Sequence, residues 1–221
     1  MKILDSGIAV LENDTHISRW VEQSGRLCHD GCVSLFILPL IHPGDVVVDG
    51  GAFIGDHTIA YLEKVGTNGR VLAFEPNPVA FECLKHNCPK AECFACGLGG
   101  SQALKSMSKN PNAGASSICE SGTVFSVEII PLDSLELPRL DFIKLDLEGF
   151  EVEALKGAVN TITAHRPVMV VEQMDGHLRR QGSSADELQS LLRHLRYTFK
   201  SLNPNLAMTE PQLDLLCEPI K

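Results

Sequence analysis

The sequence predicts an α/β fold with a mostly parallel, seven-stranded sheet that carries helices on both faces. Two observations support this prediction: short, continuous apolar runs alternate with helical segments, and a glycine-rich turn follows the first complete run. Continuous apolar runs are typical of parallel strands that are buried on both faces. Repeated strand–helix units of this kind build a Rossmann-like sheet, and 221 residues suffice for one such domain.

The individual elements follow from local signals. Buried core strands are predicted at Asp45–Asp49, Arg70–Glu75, Glu92–Cys96, Asp141–Asp146 and Pro167–Glu172. Helices are predicted at His57–Lys64, Pro78–His86, Glu151–Leu155 and Ser184–Leu195, the last from leucines at helical spacing behind a serine and acids. A further strand is expected at Val127–Ile130, and the stretch that ends near Cys217 should supply the last two strands of the sheet.

The chain divides at about residue 43. Residues 43–221 carry the strand–helix pattern and form the predicted catalytic domain, whereas residues 1–42 are expected to be an N-terminal extension on the acceptor side. Residues 99–126 are rich in Ser, Gly and Asn and contain no long apolar run, so they are predicted to be a loop excursion that can include a hairpin.

Composition excludes several classes of partner. The net charge is −9, which disfavours nucleic acid, because proteins that bind phosphate backbones concentrate positive charge. The longest apolar stretch, Val33–Ile41, is too short to span a membrane, and no signal peptide is apparent, so a cytoplasmic location is expected. A small or neutral partner is therefore expected. The sequence does not determine the oligomeric state.

The eight cysteines are expected to be reduced thiols rather than metal ligands. Cys93 and Cys96 form a C-x-x-C pair, but they fall in a predicted strand, where cysteine behaves as a small apolar residue. A structural zinc site needs two such pairs held by turns, so we expect no metal there.

The strongest chemical signal is the turn Asp49-Gly50-Gly51-Ala52-Phe53-Ile54-Gly55. Ligands of open α/β sheets bind beyond the carboxyl ends of the strands, where glycines let the backbone approach them. Asp49 can accept a hydrogen bond from a bound ammonium group. Glu75 follows the next strand, 20 residues after Gly55, where an acid can take both hydroxyls of an adenosine ribose.

Glycine spacing distinguishes the possible adenosine ligands. A dinucleotide fingerprint requires G-x-G-x-x-G, whose middle glycine admits a pyrophosphate, but here Phe53 occupies that position. A phenyl ring there obstructs a pyrophosphate but not the smaller methionine tail of S-adenosylmethionine. A nucleotide-dependent oxidoreductase is therefore the disfavoured alternative.

The fourth strand carries a family resemblance. Lys144-Leu145-Asp146-Leu147-Glu148-Gly149-Phe150-Glu151, followed by Leu155-Lys156-Gly157, is similar to the K-x-D-x-E-G-x-E and L-x-G signature of the FkbM methyltransferases. The segments from Pro43 to Asp49, from Phe74 to Pro78 and from Ile130 to Leu135 look like further motifs of that family, in the same order. This sequence departs from the family in Phe53, where Asn is common, and in His57, where Tyr or Phe is common.

The resemblance implies a class I, Rossmann-like methyltransferase that transfers a methyl group from S-adenosylmethionine to a small-molecule or carbohydrate acceptor, most often to a hydroxyl oxygen of a polyketide or sugar. N-methylation and a non-catalytic domain that binds S-adenosylmethionine stay open as alternatives. The expected cofactor-binding residues lie at the ends of the first strands: Asp49, Gly50, Gly51, Ala52, Phe53, Gly55, Thr58, Glu75, Pro76, Asn77, Leu98 and Asp146.

The expected catalytic residues are Asp146, Lys144, Glu148 and Glu172. A charged Lys144 inside a buried strand must be paired, and the candidates are Asp146, which lies on the same strand face, Glu148 and Glu172. Asp146 is the expected base for a hydroxyl acceptor, and Glu172 is the next candidate, while Glu148 also suits helix capping. Asp146, Glu148 and Glu172 together could instead hold magnesium, but the sequence lacks a clear further ligand set, so no metal is expected.

Overall fold

The computed structural model describes residues 1–12, 14–27, 33–107, 118–119, 125–210 and 212–220. The strands, in chain order, are β1 (Lys2–Ile3), β2 (Ala9–Val10), β3 (Val46–Gly50), β4 (Arg70–Phe74), β5 (Glu92–Phe94), β6 (Cys96–Leu98), β7 (Ala103–Met107), β8 (Ile118–Cys119), β9 (Phe125–Ile130), β10 (Phe142–Leu145), β11 (Val168–Met174), β12 (Tyr197–Ser201) and β13 (Gln212–Pro219). The α-helices are α1 (Ile17–Ser24), α2 (Thr58–Val65), α3 (Pro78–Asn87), α4 (Glu151–Lys156), α5 (Val159–His165), α6 (Asp175–Arg180) and α7 (Ala185–His194). Shorter helical turns occupy Val33–Ile37, Leu38–Leu40, Gly66–Asn68 and Leu132–Leu135.

A seven-stranded sheet forms the centre of the fold, in the order β12-β13-β11-β10-β3-β4-β5. The pairs from β11 to β5 are parallel, whereas β13 is antiparallel to both of its neighbours. The predicted α/β class and mostly parallel seven-stranded sheet are therefore confirmed. Strand order reverses beside β3, and ligands of open α/β sheets bind at such a switch point.

Helices cover both faces of this sheet. Val46 and Val48 of β3 point to one face, where they pack in a cluster with apolar residues of α4, α5 and α7. Val47 points to the other face, where it packs in a cluster with residues of α2 and the turn Val33–Ile37. This alternation follows from the two-residue period of a strand, and burial of both faces explains the continuous apolar runs.

The third predicted strand, Glu92–Cys96, is divided in the structure. The backbone bends at Ala95, so that only β5 pairs in the main sheet, beside β4. β6 leaves it and joins a second sheet of order β6-β9-β7-β8. Gly97 permits this departure, because a Cβ atom there would lie 2.8 Å from Cδ1 of Ile129 on β9.

The predicted loop excursion at 99–126 is only partly a loop. β7, β8 and the start of β9 lie within it, and β7 pairs antiparallel with both of the others. The strands were missed because β7 reads Ala-Leu-Lys-Ser-Met and is mostly exposed, without a buried apolar run. Residues 108–117 and 120–124 of this excursion lie outside the described part of the chain.

The N-terminal segment covers the glycine-rich turn. β1 and β2 form a hairpin, and the Asn87 side chain of α3 exchanges hydrogen bonds with the backbone of Ala9 and donates another to Ile54 O. Phe53 packs in one apolar cluster with residues of β2, α1 and α3. No helix in the described ranges is long and apolar enough to cross a membrane; the cytoplasmic location stays a prediction.

The ends of β3 and β10 approach so closely that glycine is required at Gly51. Its φ angle is +80°, and a Cβ atom would lie 1.9 Å from the carbonyl oxygen of Asp146. Gly44 offers a matched comparison, because its φ angle is +88° but no atom lies within 4 Å of the Cβ position. Gly51→Ala would therefore introduce both backbone strain and an overlap with the Asp146 carbonyl oxygen, whereas Gly44→Ala would introduce backbone strain alone.

We expect Gly51→Ala to lower the free energy of unfolding by about 3 kcal/mol or more, from strain and overpacking together. Gly44→Ala should lower it by only about 1–2 kcal/mol, the cost of a left-handed backbone alone. Urea denaturation of both variants measures the difference. Equal destabilisation would show that β3 and β10 can separate to admit a side chain.

Candidate active site

The candidate site lies at the edge of the main sheet where the parallel strands end. The glycine-rich turn leaves β3 there, and the backbone N–H groups of Gly51 and Ala52 both donate to the carbonyl of Phe74 at the end of β4, at 3.0 Å. Asp146 follows β10 at the same level, since its N–H donates to the carbonyl of Gly50 at 3.1 Å. The ends of β4, β3 and β10 are thus joined by backbone hydrogen bonds along this edge of the sheet.

Asp49 is fully buried at the end of β3. Its Oδ2 accepts a hydrogen bond from the hydroxyl of Thr58, at 2.6 Å, and its Oδ1 has no hydrogen-bond partner among the described residues. Burial raises the pKa of Asp49, while Lys144 and His57 oppose that shift by charge attraction. A buried acceptor without a partner is costly, and a bound ammonium or amide group would relieve that cost.

Glu75 is the second buried acid of the cofactor side. Oε2 accepts from the backbone N–H of Phe53 at 2.9 Å, and Oε1 accepts from that of Asn77 at 2.7 Å. Burial nevertheless raises the pKa of Glu75 to about 7, because the two backbone hydrogen bonds only partly offset it. Both oxygens keep further acceptor capacity, as a ribose diol requires.

The remaining predicted cofactor residues surround these two acids. Phe53 adopts a φ angle of +47°, a left-handed conformation that is unusual for a bulky residue and natural for the Asn common at this family position. Asn77 caps α3 by accepting from the N–H groups of Val79 and Ala80. Gly50, Gly55, Ala52 and Thr58 lie in or after the turn, and Pro76 and Leu98 line the neighbouring strand ends.

Lys144 is a buried cation in the centre of the sheet, with 3% of its side chain exposed. Its Nζ atom donates to Oδ2 of Asp146 at 3.0 Å. Burial opposes the charged form, but attraction to Asp146, Asp214 and Asp49 outweighs it and raises the pKa of Lys144. Asp214, on β13, is a member of this network that the sequence analysis missed, since nothing local marks it.

Glu172, on β11, lies level with Asp146, because Leu145 and Val171 pair one residue earlier. Its Oε1 accepts from the side chain of Gln212 at 3.0 Å, while Oε2 is buried without a hydrogen-bond partner among the described residues. Burial and the charges of Asp146, Glu151 and Glu148 raise the pKa of Glu172 to about 9, which favours its protonated form. Lys144 lowers the pKa of Asp146 against the effect of burial.

Glu148 and Glu151 have different roles, which the sequence could not distinguish. Oε1 of Glu151 accepts from the backbone N–H of Leu147 at 2.7 Å and of Gly149 at 3.2 Å, so Glu151 holds the turn after β10 together. Glu148 does not cap the next helix. Its φ angle is +54°, and backbone strain of this kind is often found at functional sites.

Glu148 contacts His177 of α6, which the sequence analysis did not include in the catalytic set. Oε2 of Glu148 lies 2.7 Å from Nδ1 of His177, at ion-pair distance but without the geometry of a formal hydrogen bond. Gly149 permits the contact, because a Cβ atom there would lie 2.4 Å from the carbonyl oxygen of His177. Burial, then Asp146 and Glu151, raise the pKa of Glu148 to about 7, whereas burial and Arg180 lower that of His177.

Across the described ranges, no group of three or more His, Cys, Asp and Glu side chains is arranged to hold a metal ion. Cys83, Cys88 and Cys96 are buried thiols, and burial raises the pKa of each. They pack as apolar residues in separate parts of the core.

The architecture is the class I, Rossmann-like fold. Among solved structures, the chain is similar to the methyltransferase FkbM from Methylobacillus flagellatus, with a TM-score of 0.58 and 19% identity over 86% of this chain and 48% of that one. It is also similar to a TehB-like methyltransferase from Corynebacterium glutamicum, with a TM-score of 0.56 and 12% identity over 92% and 94% of the two chains. At these identities the likeness shows the fold alone.

Residues 49–199 match the model of the methyltransferase FkbM domain, and this protein belongs to the FkbM methyltransferase family. Hexuronic acid methyltransferase AglP of Haloferax volcanii is 32% identical over 136 residues, which are 57% of this chain and 55% of AglP. Methyltransferase sdnD of Sordaria araneosa is 25% identical over 171 residues, covering 58% of this chain and 64% of sdnD. The alignments thus span little more than half of each relative.

We expect stability to fall between pH 7 and pH 9 because of Glu172. The unfolded carboxyl titrates near its ordinary pKa of 4.5, whereas the folded one keeps its proton until about pH 9. The unfolded state therefore loses its proton first, which destabilises the fold as pH rises through this window. Glu75, Glu148 and Glu151 have pKa values of about 7 in the folded protein, so their contributions to the loss of stability fall mainly below pH 7.

Glu172→Gln should accordingly flatten the loss of unfolding free energy between pH 7 and pH 9, measured by urea denaturation. Glu63→Gln, on the exposed face of α2, is the matched control and should leave that loss unchanged. An unaltered slope in Glu172→Gln would mean that this carboxyl is already ionised at neutral pH.

Proposed function

We propose that this protein transfers the methyl group of S-adenosylmethionine to a hydroxyl oxygen of a sugar-like acceptor. The observation that carries the proposal is the pair of buried acids, Asp49 and Glu75, on either side of the glycine-rich turn. Asp49 offers a buried carboxylate oxygen that has no hydrogen-bond partner among the described residues. Glu75 offers two oxygens that can each accept a further hydrogen bond. An ammonium group and a ribose diol are the complementary donors.

The residues present fit this cofactor. Asp49 would hold the ammonium of the methionine tail, and Glu75 would hold the ribose hydroxyls. Gly50, Gly51, Ala52 and Gly55 would allow a close backbone approach, while Thr58, Pro76, Asn77 and Leu98 would complete the walls. The bulk of Phe53 supports S-adenosylmethionine over a dinucleotide, because a pyrophosphate needs a glycine at that position.

When bound, S-adenosylmethionine supplies an electrophilic methyl group on a sulfonium. An attacking hydroxyl oxygen forms a bond to that carbon as the carbon–sulfur bond breaks, its electron pair remains on sulfur, and the hydroxyl proton must be removed. The chain's task is to orient the hydroxyl and accept the proton. AglP is named for a hexuronic acid, which supports a sugar-like acceptor here.

Glu148 and His177 are better matched to proton acceptance than Asp146 or Glu172. Lys144 keeps the carboxylate of Asp146 ionised but weakly basic, and Glu172 already holds a proton at neutral pH. The pKa of Glu148, about 7, suits a base near neutral pH. Glu148 would accept the hydroxyl proton, and Nδ1 of His177, 2.7 Å from its Oε2, would hold that carboxylate in place.

Lys144 and Asp146 would then act as a positioning unit rather than as the base. Their ion pair fixes the Asp146 carboxylate at the strand end beside the proposed cofactor, where it can orient the acceptor hydroxyl. The expectation that Asp146 itself is the base stays a competing prediction, and the pH profile described below distinguishes the two.

Glu75→Ala should weaken S-adenosylmethionine binding by about 1.5–3 kcal/mol, the value of a hydrogen bond to a charged group. Isothermal titration calorimetry measures the effect, with Glu82→Ala on the exposed side of α3 as the control, and NAD should show no saturable binding. Because Glu75 also holds the backbone of Phe53 and Asn77, Glu75→Gln should be measured too. Unchanged affinity in both Glu75 variants would remove Glu75 from the proposed cofactor site.

Glu148→Gln should lower kcat at least about 100-fold, the usual contribution of general base catalysis. In the unmodified protein, kcat should rise with pH through about 7, and this inflection should disappear in Glu148→Gln. The assay follows labelled methyl transfer to a panel of methyl glycosides. Glu153→Gln, a partly exposed residue of α4 that pairs with Lys156, is the control and should keep both the rate and the profile.

Asp146→Asn is measured in parallel. If its pH inflection is lost while Glu148→Gln keeps a normal profile, Asp146 is the base and the assignment of Glu148 and His177 is wrong. If Asp146→Asn lowers the rate but preserves the inflection near pH 7, the positioning role of Lys144 and Asp146 is supported.

A further inference from the structure

A cavity of about 260 Å³ lies beside Glu172, on the side away from the glycine-rich turn. β13 runs antiparallel to β11, so its first residues come to the edge where β11 ends: Gln212 pairs with Met174, and Asp214 pairs with Glu172. The segment that links β12 to β13 closes the cavity with Asn203 and Leu206. The cavity is therefore at the same edge as the candidate active site.

We propose that this cavity binds the acceptor and that it selects a neutral sugar ring over an acidic one. The inference rests on the proposed function, because it identifies the second substrate of the same site. A volume of about 260 Å³ is slightly below the usual range for small-molecule pockets, so it suits one ring rather than an oligosaccharide.

The apolar part of the lining suits the C–H faces of a sugar ring. Phe36 comes from the N-terminal extension, Leu202 and Leu206 from the segment after β12, and Leu213 from β13. Leu206 is 42% exposed, as expected of a residue at the rim. Through Phe36, the N-terminal extension (residues 1–42) would contact the acceptor, which is the role expected for it from the sequence.

The polar part of the lining suits hydroxyl groups. Glu172 offers carboxyl oxygens, and the side-chain amides of Gln212 and Asn203 can both donate and accept. Asp214 adds acceptors only, and its charge already attracts Lys144. Sugar hydroxyls, which also donate and accept, can satisfy such a mixed set.

Charge excludes an acidic sugar from this cavity. No Lys, Arg or His lines it within the part of the chain that the structure describes, whereas two carboxyl side chains, Glu172 and Asp214, do. Lys144, the cation nearest in the network, is buried and bonded to Asp146. A carboxylate in the cavity would be desolvated beside Asp214 without a partner, a strongly unfavourable arrangement.

The test compares two matched probes: the methyl glycoside of a neutral hexose and the corresponding methyl hexuronide. Glucose, galactose and mannose series are titrated by saturation-transfer NMR, with and without S-adenosylhomocysteine. We expect at least one neutral glycoside to bind saturably, with at least tenfold higher affinity than its hexuronide. Stronger binding of the hexuronide, or no saturable binding of any neutral glycoside, contradicts the proposal.

Two single variants locate the effect in the cavity. Leu206→Lys adds a cation at the rim and should improve hexuronide binding relative to the neutral glycoside at least fivefold. Met208→Lys adds the same charge in the same segment, at a residue that is 39% exposed but does not line the cavity, and should leave the ratio unchanged. Equal changes in both variants would indicate a general charge effect and overturn the assignment.

Calorimetry with S-adenosylmethionine on the same samples separates this proposal from the proposed function. If S-adenosylmethionine fails to bind while a neutral glycoside still binds in the cavity, the methyl donor is wrong and the sugar site stands. If S-adenosylmethionine binds and only the hexuronide occupies the cavity, the methyl transfer stands and the selection for a neutral ring over an acidic one is wrong.

Discussion

The buried charge of Lys144 is the constraint on which the active-site edge depends. An ammonium group in the middle of a sheet is tolerated only when carboxylates surround it, and here Asp49, Asp146 and Asp214 come from three different strands. The charge of Lys144 keeps Asp146 ionised. The ionised Asp146 in turn helps to keep the proton on Glu172 and raises the pKa of Glu148. One lysine thus influences the protonation of Asp49, Asp146, Glu148 and Glu172.

The main sheet was predictable from the sequence because each core strand is buried on both faces. Val46–Gly50 and Phe142–Leu145 are almost wholly apolar apart from the two charged residues that form the network, and their continuous runs leave little ambiguity. β6 and β7 were not predictable in the same way. The bend at Ala95 depends on where β9 lies, and β7 is an exposed strand whose partners are distant in sequence.

The site was predictable only where its residues share a strand end. Asp49, Glu75 and Asp146 follow apolar runs directly, so their convergence comes from parallel strand geometry alone. His177 and Asp214 reach the site through the β11–α6 junction and through an antiparallel strand, which no local pattern announces. The division of roles between Glu148 and Glu151 depends on the sign of a backbone angle, which residue types at these positions do not specify.

The left-handed Phe53 links the evolution of two distant parts of the chain. Asn or Gly at this position would relax the backbone, but neither would fill the apolar cluster beneath the N-terminal hairpin. The strained φ angle of Phe53 therefore accompanies the packing of its ring beneath the N-terminal hairpin, and a change in one of these features affects the other. Homologues that lack the N-terminal hairpin should consequently carry small or polar residues at the position of Phe53.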